Sequence, residues 1–260
     1  MTLSRVLSIA LQDTGRPPLR PLPLEAAELL HSVDAPPRLV AHLRAVHDVA
    51  GQLLEWIDTR DLDLGISPQA VLFGAATHDI GKTLHPAELS AAGSQHEEAG
   101  RELLSARGVD PARARFAATH AAWTTEGAGM EDRLVSLADK IWKNQRVPEL
   151  EDLVVAGLAA TSGRPVWEEF LELDSVLTRI GDQADERLAF QMSHPTARSG
   201  SRPDSTSWTS AAVTTVPATE TSEPGETSMS SLDPHSTGSS PARPADQEQA
   251  RTTRTDTGDD

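Results

Sequence analysis

Apolar residues recur along most of this chain in steps of three and four, the spacing that lines one face of an α-helix. The clearest run follows Pro36 and Pro37, which suit a first helical turn because a missing N–H costs nothing there. In it Leu39, Leu43, Val46, Ala50, Leu53, Leu54 and Ile57 make one stripe. His42 lies on the border of that stripe and points inward, whereas His47 is expected to be partly exposed. Upstream, residues 24–33 predict a short helix, and residues 1–23, with Pro17, Pro18, Pro21 and Pro23, predict an irregular arm. Ser67-Pro68 reads as a cap with proline at the first helical position. The helix it opens, through Val71, Leu72 and Ala75, should end near Gly81 in a left-handed terminus.

Further helices are expected over residues 94–107, from Asp110-Pro111 to His120, over 131–143, and as one long closing helix from Pro165 to Met192. No segment sustains the alternation of a strand. The expected fold is therefore all-α, a helical domain over residues 24–193. From 194 to 260 the composition turns to Ser, Thr, Pro, Gly and Asp with few large apolar residues. Such a tail cannot bury enough surface to offset its ordering entropy, and disorder is expected.

Charge narrows the partners. The formal net charge is −16, so no basic stripe is available to displace counterions from DNA or RNA, and a nucleic-acid polymer is excluded as partner. A small anionic substrate requires metal ions or a few placed cations to invert the local field. The three lysines of the chain, Lys82, Lys140 and Lys143, all stand beside candidate metal ligands. There is no cysteine, which removes a disulfide framework, a zinc knuckle and a thiol nucleophile. The apolar run Val6 to Leu11 is too short for a membrane span and lacks the pattern of a secretory signal. A cytoplasmic protein without a membrane partner is expected.

The candidate chemistry centres on Ala76-Thr77-His78-Asp79-Ile80-Gly81-Lys82-Thr83. Neutral imidazole and ionised carboxylate are ligands that divalent transition metals accept, and a lysine is a suitable point charge for a phosphate oxygen. His42 precedes the pair, and His96, His120 and Asp139 follow it, each on or at the end of an expected helix. Asp139 shares a face with Val135 and Trp142, where an acid needs a metal or a salt bridge. Residues 76–83 also have the outline of a phosphate loop with alanine for its first glycine. That motif follows a buried parallel strand, whereas this stretch follows a helical run.

The order His42, His78-Asp79, Asp139 resembles the HD-domain superfamily of metal-dependent phosphohydrolases. His42-Leu43-Arg44-Ala45-Val46, His78-Asp79-Ile80-Gly81-Lys82 and Leu137-Ala138-Asp139-Lys140 carry the resemblance, over roughly residues 36–145. The resemblance implies that His42, His78, Asp79 and Asp139 bind one divalent ion (Mn, Fe, Co or Ni). His96 and His120 match the extra histidines of the dinuclear branch, where Asp79 would bridge two ions; otherwise they would contact the substrate phosphate. Lys82 would neutralise charge on the phosphoryl oxygens, and with Asp79 would form the catalytic pair. The implied activity is hydrolysis of a small phosphate ester or nucleotide by a metal-activated water.

Two alternatives share these ligands: a mixed-valent di-iron oxygenase of the same superfamily, and a metal-stabilised binding module without catalysis. No Gly-Tyr-Pro triplet follows His120, and the chain has no tyrosine, which speaks against the branch that cleaves cyclic dinucleotides. No synthetase or regulatory domain of the alarmone kind is visible.

Overall fold

A computed structural model describes residues 5–197. The described residues are all-helical, with eleven α-helices, two short 3-10 turns and no strand. In order they are α1 (Arg5–Gln12), α2 (Leu24–Ser32), α3 (Pro37–Asp58), α4 (Pro68–Thr77), α5 (Gln95–Ala106), α6 (Pro111–Ala114), α7 (Phe116–Thr119), α8 (Met130–Ile141), α9 (Pro148–Ser162), α10 (Val166–Gly181) and α11 (Ala184–Met192). The 3-10 turns, Ile80–Thr83 and Pro86–Leu89, lie between α4 and α5. No helix of the described residues is long and apolar enough to cross a membrane. The expected tail lies outside the described residues but for its first four positions.

Sequence punctuation sets several of these boundaries. Proline occupies the first turn of α3, α4, α6 and α9, where its fixed φ and missing N–H do no harm. Ser67 Oγ accepts from the Ala70 N–H at 3.2 Å and Asp110 Oδ1 from the Ala112 N–H at 2.8 Å, each capping a helix start. Gly163, at φ +70°, ends α9 in the left-handed conformation.

The core has two parts that meet on α3. Val46, Leu53 and Ile57 pack with Val71, Leu137 and Leu177, while Leu39 and Leu43 pack with Leu7, Leu30, Phe73 and Leu104. Of the 22 residues of α3, 17 are buried, so the helix is surrounded rather than half-exposed. Its polar side is covered by α1 and α11. Arg44 Nη1 donates to Ala10 O at 2.8 Å, and Asp48 Oδ1 accepts from the Arg20 backbone N–H at 3.1 Å. This corrects the expectation for His47, which is buried because the N-terminal arm lies over that face.

Other expectations change in detail. The arm expected to be irregular over 1–23 contains α1, whose Leu7 and Ala10 are buried. The helix opened at Ser67 stops at Thr77 instead of continuing to Gly81, and Gly81 does not take a left-handed φ. The closing helix is broken at Asp182 and Gln183 into α10 and α11. There the buried Arg187 donates from Nη1 to Ile180 O at 3.1 Å, and a Cβ on Gly181 would lie 2.3 Å from Asn144 Oδ1. Helix α9 is an addition to the expected elements. Its own signals are Pro148 at the start, Gly163 at the end and the steps Leu150, Val154 and Leu158.

Candidate metal centre

Five local structures present the candidate donors. His42 sits one turn into α3, and Asp139 near the end of α8. His78 terminates α4, and Asp79 follows at φ −99°, ψ 9°, between the helical and extended regions, where many active-site residues sit. Leaving the α-helix here lets two consecutive side chains, normally splayed around the axis, reach the same point. His96 lies in the first turn of α5, and His120 is the residue that ends α7.

Gly81 makes the fourth approach possible. A Cβ there would stand 1.9 Å from His96 O and 2.6 Å from Gly100 N, so only a bare backbone lets the 3-10 turn touch α5. That contact carries His96 to Asp79.

All six side chains are buried, and they converge. His42 Nε2 lies 3.3 Å from His78 Nε2, 3.1 Å from Asp79 Oδ2 and 3.6 Å from Asp139 Oδ1. His78 Nε2 is 3.6 Å from Asp79 Oδ2 and 3.5 Å from Asp139 Oδ1. On the other side of the same carboxylate, Asp79 Oδ1 is 3.0 Å from His96 Nε2 and 3.6 Å from His120 Nε2. Donors about 2.1 Å from one ion, at angles of about 90–110°, stand about 3.0–3.4 Å apart. Ligand atoms of His42, His78 and Asp139, and of His78, Asp79 and His120, are close enough to share an ion.

Tautomers follow from the outer partners. His78 Nδ1 lies 3.0 Å from Ala75 O and His120 Nδ1 3.0 Å from Ala117 O. A carbonyl only accepts, so in the neutral rings Nδ1 carries the hydrogen and Nε2 offers its lone pair to the cluster. His96 Nδ1 is 2.5 Å from Glu88 Oε2, which does the same for His96. Its Nε2 lone pair then faces an ionised oxygen, and both Asp79 Oδ1 and His96 Nε2 are buried without a hydrogen-bond partner. Two electron-rich atoms buried face to face need a cation or a proton between them. The donor set therefore fits a divalent metal.

The electrostatics point the same way. Burial works to raise the Asp79 pKa, but His78, His42 and His96 outweigh it and hold the carboxyl well below its ordinary range. Asp139 is likewise held down against burial, by His78, Lys140 and His42. Burial lowers His42, and burial with the neighbouring His78 lowers His120 to about 4. His96 moves upward: burial opposes protonation, but the neighbouring carboxylates of Asp79 and Glu88 prevail. Two ionised carboxylates beside the His42 and His120 imidazoles, which burial keeps from charging, make a buried anionic nest for a cation.

The cluster opens into a cavity of about 480 Å³. Lys82, Lys140 and Lys143, the three lysines of the chain, line it. Lys82 Nζ is 2.5 Å from Asp79 Oδ2, and Lys140 Nζ is 2.8 Å from Asp139 Oδ2. Glu97, in the first turn of α5, also lines the cavity, and burial raises its pKa. Sequence reasoning missed Glu88 and Arg38. Glu88 belongs to a 3-10 turn without helical periodicity. It accepts from the backbone N–H groups of Gln95 and His96, each at 3.2 Å, in place of Ser94, whose side chain makes no cap. Arg38 was one of many arginines, and only the approach of the residues after α11 distinguishes it.

Fold and cluster together define an all-helical protein with a buried His/Asp site of metal-binding type. Residues 39–143 match the family model described as the HD domain. HD domains are in general metal-dependent hydrolases, and all six converging residues lie within the matched segment. Helices α1, α2, α9, α10 and α11 lie outside it. No curated protein and no solved structure matches the chain.

Proposed function

We propose that this protein is a metal-dependent phosphohydrolase acting on a small phosphate ester or nucleotide. In this reading His42, His78, Asp79 and Asp139 hold one divalent transition-metal ion, Mn, Fe, Co or Ni. His96 and His120, with Asp79, would hold a second. The observation that carries it is the Asp79 carboxylate, met on both oxygens by imidazole nitrogens, with Oδ1 and His96 Nε2 left as buried unpartnered atoms.

When bound, such ions acidify water and polarise phosphoryl oxygens. The chain supplies the rest. His78, His96 and His120 are locked in the tautomer that presents Nε2, and Asp139 is steadied through Oδ2 by Lys140. Lys82, at the cavity wall, offers ammonium protons to the phosphoryl oxygens of a bound ester and opposes their growing charge in the transition state. Without the lysines, a chain of net charge −16 would repel the anion it has to bind. The cysteine-free composition suits a reducing cytoplasmic setting.

Metal analysis of protein purified without chelator is the first test, followed by a screen of phosphate esters and nucleotides with Mn or Co. Two equivalents of metal, lost in His78→Ala, together with phosphate release are the expected result. Iron accompanied by O₂ consumption would move the assignment to the oxygenase reading. Tight metal binding with no turnover would favour a metal-stabilised binding module, and a metal-free protein would end all three.

A further inference from the structure

Four cations line the cavity, and they are of two kinds. Lys82 and Lys140 are each held against a cluster carboxylate, Asp79 and Asp139. Arg38 and Lys143 line the same cavity and face no carboxylate in any ion pair among the described residues. Of the fifteen described arginines seven pair with an acid, Arg20, Arg60, Arg115 and Arg146 among them, so what sets Arg38 apart is its place on the cavity wall rather than the want of a partner.

Arg38 is nevertheless fixed. Its Nε donates to His194 O at 3.0 Å, its Nη2 to Met192 O at 3.4 Å, and its backbone N–H to Pro195 O at 3.0 Å. Carbonyls orient a guanidinium without cancelling its charge, so its planar fork is pre-organised for carboxylate or phosphate. Arg38 lies four residues before His42, and Lys143 four residues after Asp139. Arg38, on α3, is thus about one helical turn from His42, whereas Lys143 stands in the turn that follows α8. Gln191 of α11 lines the same cavity and adds an amide. Arg38 falls one position before the segment that matches the HD domain, and Gln191 lies well after it.

We propose that the substrate is a small phosphate ester carrying a second anionic group, carboxylate or phosphate, that engages Arg38 and Lys143 while the scissile phosphate meets the His/Asp cluster. This inference rests on the phosphohydrolase reading above and adds the substrate's second charge to it. In a chain of net charge −16, two cations left without an acid beside the cavity raise the local potential where an anionic group of a ligand would enter.

Calorimetric titration of the full-length, manganese-loaded protein tests it with three non-hydrolysable probes: propylphosphonate, 3-phosphonopropionate and propane-1,3-bisphosphonate. At least one doubly anionic probe is expected to bind about tenfold more tightly than propylphosphonate, the size of one charge-assisted contact. The stronger of the two identifies the second group as carboxylate or phosphate. Lys143→Gln, at an exposed position, should shrink that advantage, and Arg38→Gln combined with it should abolish it, with thermal melting to verify folding. Equal affinity for all three probes, or an advantage untouched in Lys143→Gln and in the double variant, overturns the inference while leaving the phosphohydrolase reading intact. If none of the three binds, the phosphate reading itself falls and this inference with it.

Discussion

Asp79 is where the two halves of the cluster join, since Oδ2 faces His42 and His78 while Oδ1 faces His96 and His120. Replacing it by asparagine keeps the shape and removes the charge that a shared cation needs. Asp79→Asn is therefore expected to lose both metal equivalents and all turnover; retention of two equivalents in metal analysis would refute the bridging role. Glu88 acts one step out. With Glu88→Gln the His96 Nδ1–H loses its ionised acceptor, and one of the two equivalents should bind about 10- to 100-fold more weakly. A competition titration with a coloured chelator should show the other equivalent unchanged.

His47, away from the cluster, governs a different property. Burial, with help from Arg20, holds it at about 4 against the ordinary 6.5. Between those values the unfolded chain binds the proton and the native chain does not. Its neutral form is thus compatible with full stability above about pH 6.5, and stability is lost as pH falls toward 4, by roughly 3 kcal/mol at most. The melting temperature should fall on acidification from pH 7 to 5, and less so in His47→Gln. Parallel pH profiles for the two proteins would show that His47 contributes nothing to the dependence.

At the scale of elements, the site depends on a helix that stops early and a backbone that comes close. Apolar spacing marked where α3, α4, α5 and α8 begin, because proline and cap chemistry are local. It did not mark the end of α4, since that depends on α5 packing against the following 3-10 turn. Gly81 illustrates the difference: its sequence position suggested a left-handed helix terminus, whereas its use is the 1.9 Å approach a Cβ would make to His96 O. Gly81→Ala must push α5 away, at a cost of about 3 kcal/mol or more. A lowered melting temperature with weakened binding of one metal equivalent is the expected result, and a fully stable variant with both equivalents bound would contradict this packing.

For the molecule as a whole, the cluster links metal to stability. Asp79 and Asp139 are buried and ionised, so the folded state gains from any cation that binds it and not the unfolded chain. At metal concentrations about a thousandfold above Kd the gain is about 4 kcal/mol, or about 10 °C in melting temperature for a domain of this size. Excess EDTA should remove that increment and re-added manganese should restore it. An EDTA-insensitive melting curve would show that the cluster holds no ion.

Local pattern alone established the helical class and most helix starts, because periodicity and capping are written in neighbouring residues; the candidates His42, His78, Asp79, His96, His120 and Asp139 were legible as residue types, and the resemblance to a family gave them their order and roles. Only the tertiary structure decided that His47 is covered, that Glu88 orients His96, and that Arg38 reaches the cavity without an acid beside it. Each of those depends on a contact between segments far apart in the chain, and a side chain's surroundings are fixed by what packs against it, which no local spacing encodes.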